Sequence, residues 1–215
     1  MLSEIFKLFW KTVERKDARR INSQTPPTEI EQFCDIQYID DGLWQHRLDV
    51  YSKSGKLSHR SVVIDIHGGG WMYGTKEINK NYCLVLAQND YVVVNINYRL
   101  APDFSVADQL RDCFFAFKWV STNIEKYGGD LNNVFVTGDS AGGFLAAYSA
   151  LLNSSEKLRR IFGVTESGLE FRACGLTSPV CFMNTHTFQD VYYSRVKGKE
   201  FSESTLRGFE NFDAV

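Results

Sequence analysis

The chain has 215 residues, 44% hydrophobic and 14% aromatic, with a formal net charge of −2. That is apolar material for one substantial core and predicts a single domain over residues 1–215. Balanced charge gives no general attraction to nucleic acid and no stable association with an anionic membrane. No apolar run is long enough to span a bilayer. Five cysteines (Cys34, Cys83, Cys113, Cys174 and Cys181) form no Cys-x-x-Cys pair and fall mostly in apolar runs, which reads as reduced core thiols. Residues 1–20 are too charged for a signal peptide, so a cytoplasmic location is expected.

In chain order, Ile5, Phe6, Phe9, Trp10 and Val13 share one face of a predicted N-terminal helix over 1–22. A polar linker with prolines follows at 22–28. Segments 33–39 and 44–51 alternate like half-buried strands, and Asp41-Gly42 marks a turn between them, so a hairpin is predicted. Val62 to Ile66 reads as a buried parallel strand. A helix is expected over 75–88 and a strand over 91–97. Ser105 caps a long helix with Leu110, Cys113, Phe114, Phe117 and Val120 on one face, and Gly128-Gly129 stops it. A strand at 134–137, a helix from Ala141 to about residue 153 and a strand near 171–179 complete the alternation. This is the pattern of an α/β fold, a mostly parallel sheet with helices on both faces and an N-terminal hairpin. Leu206, Phe209 and Phe212 recur at helical spacing near the end, with Ser202 as a cap.

Two strings carry the chemistry. His67-Gly68-Gly69-Gly70 follows the 62–66 strand, and Gly138-Asp139-Ser140-Ala141-Gly142-Gly143 follows the 134–137 strand. The second contains Gly-x-Ser-x-Gly. A serine that projects its hydroxyl from a tight strand-to-helix turn needs neighbours without side chains, and Gly138 and Gly142 meet that need. The Ala141 amide lies at the start of the following helix, where backbone N–H groups favour negative charge. The Gly68–Gly70 turn offers further N–H groups, with Gly69 and Gly70 as donors, Gly68 shaping the turn and His67 stabilising it. A nucleophile beside such donors is the equipment of acyl transfer. The alternatives are that Ser140 is the N-cap of an ordinary βα unit and that the glycines form a flexible loop. The two motifs in this order, each after a strand, are far more specific than either alone.

With those motifs in place the chain resembles the hormone-sensitive-lipase-like branch of the α/β-hydrolases, a group rich in bacterial acetyl esterases and carboxylesterases. Tyr98-Arg99-Leu100-Ala101-Pro102-Asp103 also matches that group's segment after the fourth strand, with Asp112 and Trp119 in the next helix. The resemblance runs from about Gln32 to Cys181. It departs where the group carries a longer stretch with a second proline, shortened here to Asp103-Phe104-Ser105-Val106. It implies the α/β-hydrolase fold, an oxyanion hole of Gly69, Gly70 and Ala141, no metal or cofactor, and a small-molecule ester as substrate. It also implies a lid that includes the N-terminal helix and a region over 182–215. Packing of that helix elsewhere, or at a membrane surface, are the alternatives.

A serine hydrolase of this fold orders its triad Ser, then Asp or Glu, then His. The four histidines do not fit. His46 and His59 are expected to be solvated, His67 belongs to the glycine turn, and His186 follows the sixth strand directly, in the lid region. Asp190, Glu200, Glu203, Glu210 and Asp213 match no motif. No triad acid or histidine is therefore named, and the chain is expected to stop before the strands that carry them. An esterase of small, short-acyl substrates with an acyl-enzyme on Ser140 is the leading expectation, with an amide hydrolase as a variant. A non-catalytic binding protein on the same fold, or an inactive gene fragment, are the alternatives.

Overall fold

The expected hairpin forms. In the computed structural model β1 (Ile30–Gln37) lies antiparallel to β2 (Arg47–Lys53), with a bulge between Phe33 and Ile36. The structure describes residues 2–55 and 59–181, with side chains from Leu8 onward. The expectations for His186, the late acids, the C-terminal helix and a lid over 182–215 lie outside the described residues, as do the side chains of Ile5 and Phe6.

Six strands form one sheet in the order β1-β2-β4-β3-β5-β6. β3 (Arg60–Ile66), β4 (Val92–Ile96), β5 (Gly129–Asp139) and β6 (Phe171–Thr177) run parallel, and β2 joins β4 antiparallel. The hydrophobic alternation of the central strands sends Val62, Ile64 and Ile66 to one face, with Val92, Val94 and Ile96 beside them. There they meet Leu110, Phe114 and Phe117 of α3 (Val106–Asn123) and Leu145 of α4 (Ser140–Ser154). Each such side chain, fully removed from water, contributes about 1.5–3 kcal/mol. Val93 and Tyr51 face the other way and pack on Cys83, Leu84 and Ala87 of α2 (Lys80–Gln88). Helices thus cover both faces, which parallel strands require.

The second face is only half apolar. Asp49, Asn95, Asp65 and Thr137 stand in register across β2, β4, β3 and β5. These buried polar groups form a row toward the C-terminal ends of the parallel strands β3, β4 and β5 and the N-terminal end of antiparallel β2, facing the segment that leads into α2. A buried polar group must find a partner, and the row finds its partners in that segment. The Asn95 amide donates to Lys76 O at 2.7 Å, and the Asn79 amide donates to Asp65 Oδ2 at 3.0 Å.

Several expectations need correction. The single helix over 75–88 is a 3-10 turn (Lys76–Ile78) followed by α2, because Asn95 and Asn97 bind the backbone of Lys76 and hold that turn in place. A short helix, α5 (Glu156–Phe162), was not anticipated; Ser155 caps it and left-handed Gly163 ends it. Ser105 does cap α3, in a reciprocal box with Asp108. The helix gives way to a 3-10 turn (Ile124–Tyr127), and Gly128 at φ 85° turns the chain into β5. Cys83 and Cys113 are buried as expected, but Cys34 and Cys181 are exposed, since Cys34 sits on an edge strand and Cys181 beyond the last one.

Candidate active site

β3 and β5 are parallel neighbours with Ile66 opposite Gly138, so the two motifs leave the sheet side by side. The contact is intimate. A Cβ on Gly142 would stand 1.9 Å from Ile66 O, and one on Gly138 would stand 2.5 Å from Gly142 O. Only glycines allow the first turn of α4 to press against the His67 turn. At the junction Ser140 has φ 50°, a left-handed backbone that costs a non-glycine residue about 1–3 kcal/mol. That is the conformation of a strained strand-to-helix elbow. Among the described residues no side chain hydrogen-bonds the Ser140 hydroxyl. Its carbonyl accepts from Val180 N at 3.2 Å, which lays the segment after β6 against the elbow.

Asp139 binds the two motifs together. Its Oδ1 accepts the Gly68 N–H at 3.0 Å and the Asn79 amide at 2.8 Å. Gly69 has φ 116° and a Cβ there would meet Tyr73 O at 1.9 Å, so the turn closes tightly on the Tyr73 N–H to Gly69 O bond of 3.0 Å. The Ala141 amide sits in the first turn of α4, where N–H groups have no intrahelical partner.

His67 is fully buried and does what its place in the turn suggested. Its Nδ1–H donates to Gly68 O at 2.7 Å, which fixes the tautomer, and its ring stacks on Tyr98 at 4.4 Å. Burial pushes its pKa down to about 4, so it is neutral at pH 7. The Tyr98-to-Asp103 segment holds the turn from outside. Tyr98 Oη donates to His67 O at 2.8 Å, and Ala101 N donates to Trp71 O at 2.8 Å. Arg99 is locked in turn by Asp112, with its Nε 2.9 Å from Oδ2 and its Nη2 2.6 Å from Oδ1.

His46 overturns the expectation of a solvated side chain. It is 2% exposed, with Nδ1 2.7 Å from Asp41 Oδ2 and Nε2 3.1 Å from Asp112 Oδ1. Burial alone would push its pKa down, but the bonds to Asp112 and Asp41 outweigh burial and raise it. It is a pin between the hairpin loop and α3, and its two ring nitrogens are spent on that. His59 is exposed, as expected. The N-terminal helix, α1 (Leu2–Asn22), packs beside the glycine turn: Trp10 stacks on Tyr73 at 5.3 Å and Arg20 Nη2 donates to Ile78 O at 3.2 Å.

Asn79, Asp65 and Lys76 went unnoticed as sequence. The available signal was a lone polar residue at matching positions of two apolar strands, Asp65 in Val62–Ile66 and Asn95 in Val92–Ile96. No metal-ligating cluster occurs among the described residues, and no helix there is long and apolar enough to cross a membrane.

A mostly parallel sheet flanked by helices, with a strained serine at the end of β5 and a glycine turn at the end of β3, defines an α/β-hydrolase of the hormone-sensitive-lipase-like kind. Residues 48–183 match the BD-FAE family, and the chain belongs to it. It is 46% identical over 130 residues to arylacetamide deacetylase of Oryctolagus cuniculus, covering 58% of this chain and 32% of that protein. It is 34% identical over 145 residues to the carboxylesterase NlhH of Mycobacterium tuberculosis, covering 65% and 45%. The chain thus spans less than half the length of these curated relatives. The crystal structure of esterase B from Lactobacillus rhamnosis superposes with a TM-score of 0.89 at 30% identity, over 100% of this chain and 70% of that one.

Proposed function

We propose that the protein hydrolyses small carboxylic esters through an acyl-enzyme on Ser140. The observation that carries this reading is the Ser140 elbow at φ 50°, pressed through Gly142 against the His67–Gly70 turn. The similarity to esterases supports it. Ser140 Oγ attacks the ester carbonyl carbon and loses its proton to a base; the carbonyl oxygen becomes an anion held by the Gly69, Gly70 and Ala141 amides. Collapse of that intermediate expels the alcohol, which takes up the proton. Water then attacks the acyl-enzyme and releases the acid. None of the three described histidines is assigned as the base, since His46 and His67 are committed elsewhere and His59 lies at the opposite end of β3. Packing of α1 against the glycine turn supports its reading as part of a lid, and the small residues of the turn favour short acyl groups.

That no side chain among the described residues hydrogen-bonds the Ser140 hydroxyl is what favours the second reading, a binding protein that keeps the pocket without the chemistry. A fluorophosphonate probe separates the two. Labelling of the chain that disappears in Ser140→Ala, together with Ser140-dependent release of p-nitrophenol from p-nitrophenyl acetate, is expected for the hydrolase. Absence of both, in a folded protein that still binds short esters, leaves the binding protein.

A further inference from the structure

Asn79 occupies the N-cap position of α2, where an asparagine side chain ordinarily accepts a backbone N–H of its own helix, yet it makes no cap hydrogen bond. Its Nδ2 instead donates to Asp65 Oδ2 at 3.0 Å and to Asp139 Oδ1 at 2.8 Å. Asp139 Oδ1 also accepts the Gly68 N–H at 3.0 Å, and its Oδ2 lies so close to Gly68 that a Cβ there would stand 2.3 Å away. A single amide therefore bridges a buried carboxyl in the middle of the sheet and the carboxylate that holds the start of the glycine turn.

We propose that Asn79 is a positioning residue for the oxyanion turn: through Asp139 it fixes the Gly68 N–H, and so the direction in which the following Gly69 and Gly70 amides point. The proposal rests on the Ser140 reading above only for its kinetic arm. Two facts support it. Asp65 and Asp139 approach each other closely enough for charge to matter, and burial with Asp139 nearby pushes the Asp65 carboxyl up to about 7. Without a donor between them, the two carboxyls would repel and Asp139 would be free to turn from Gly68. Moreover, Asn79 is held in place, because the preceding 3-10 turn is tied to β4 through Asn95 and Asn97, and Lys76 of that turn pairs with Asp49 on β2. The bridge thus refers the turn to the sheet rather than to a loop.

The experiment measures two things on the 215-residue chain, amide exchange at Gly68 by NMR and steady-state hydrolysis of p-nitrophenyl acetate. In the unaltered protein Gly68 is expected to exchange slowly; exchange as fast as that of an open loop would overturn the proposal without any variant. Asn79→Ala removes the bridge, and Asn79→Asp keeps its shape while replacing the donor by an acceptor. Both should speed Gly68 exchange at least about tenfold, relative to amides of β4, and lower kcat by about 10- to 100-fold with KM little changed. In Asn79→Asp the loss should deepen as pH rises, because a third carboxylate joins Asp65 and Asp139. The other titratable groups facing this spot are His67, Cys83 and Tyr82. His67, neutral above about pH 4, does not produce that trend. Unchanged Gly68 exchange in both variants, or exchange that rises equally at every amide, overturns the proposal. Ser140-dependent hydrolysis that ignores Asn79 also overturns it and leaves the Ser140 reading standing. Loosened Gly68 with hydrolysis indifferent to Ser140→Ala does the reverse.

Discussion

Ser140 carries a backbone that its own side chain disfavours. At φ 50° a Cβ is crowded, and Gly is the residue that adopts such a conformation freely. The strain is expected to show in a pair of variants. Ser140→Gly should be more stable than Ser140→Ala by about 1 kcal/mol, read from urea denaturation midpoints, because only glycine relieves the positive φ. Both should abolish probe labelling, so stability and reactivity move in opposite directions at one position. Equal stability of the two variants would mean that the elbow is not strained.

Two buried titratable residues make stability depend on pH, with the same sign. His46 is raised above its ordinary value of about 6.5 by Asp112 and Asp41, so its contribution is fully present below that pH and is lost as pH rises through the folded value. Asp65, raised to about 7, contributes stability that is full below about 3.9 and is lost as pH rises toward and through about 7. The unaltered protein should therefore lose melting temperature as pH rises from about 4, through Asp65 up to about pH 7 and, above about pH 6.5, through His46 as well. His46→Gln and Asp65→Asn should each flatten part of that slope, and the double variant most of it. A slope unchanged by either would show that other groups govern it.

At the scale of elements, the glycine turn is held by its neighbours more than by itself. α3 fixes Arg99 through Asp112, Tyr98 donates to the His67 carbonyl, and Gln109 donates to Trp71 O at 2.9 Å. α3 in turn starts from the Ser105–Asp108 box. Ser105→Ala should cost about 1 kcal/mol, measured by denaturant titration, and the loss should appear first as faster exchange in the opening turn of α3. An undiminished midpoint would mean that burial of Val106 and Leu110 alone sets where the helix begins. The N-cap serine of α3, Ser105, and the elbow serine of α4, Ser140, look alike as sequence, each opening an apolar helix. Their backbones separate them: Ser105 is extended, with φ −86° and ψ 166°, whereas Ser140 is left-handed and its side chain caps nothing.

Across the whole molecule the least expected feature is the charge buried beneath the hairpin. Lys76 Nζ, 4% exposed, lies 3.0 Å from Asp49 Oδ1 and 3.1 Å from Asp35 Oδ1. Asp49 is fully buried and also accepts from Tyr51 Oη at 2.6 Å. Burial works against the Lys76 ammonium, but its three carboxylate partners prevail and hold it charged. Lys76→Ala would leave Asp49 buried without its cation and should cost about 3–5 kcal/mol of folding stability. The Asp49→Asn, Lys76→Met pair should recover part of that loss, since an amide carries no charge to strand. Failure of the double variant to recover any of it would point to lost packing instead.

The order of the strands, the longer helices, the hairpin, the cap of α3 and both glycine motifs were legible in the sequence, because each is a local rule: a period of two or 3.6, a capping residue, a side chain that must be absent; the 3-10 break before α2 and the short α5 were not. The elbow could be named from Gly138, Ser140 and Gly142 alone, since no other residues allow that approach. What the order of residues left open was every long-range polar pair. His46 and Asp112 stand 66 positions apart and Asn79 and Asp139 stand 60 apart. Nothing local marks such residues, because a buried carboxylate and a solvated one look the same until the chain closes around them. The cost of burying an unpaired charge decides which partners they take, and only the tertiary structure, by setting what is excluded from water, decides that a histidine in a hairpin loop is a pin and that an asparagine before a helix bridges Asp65 and Asp139.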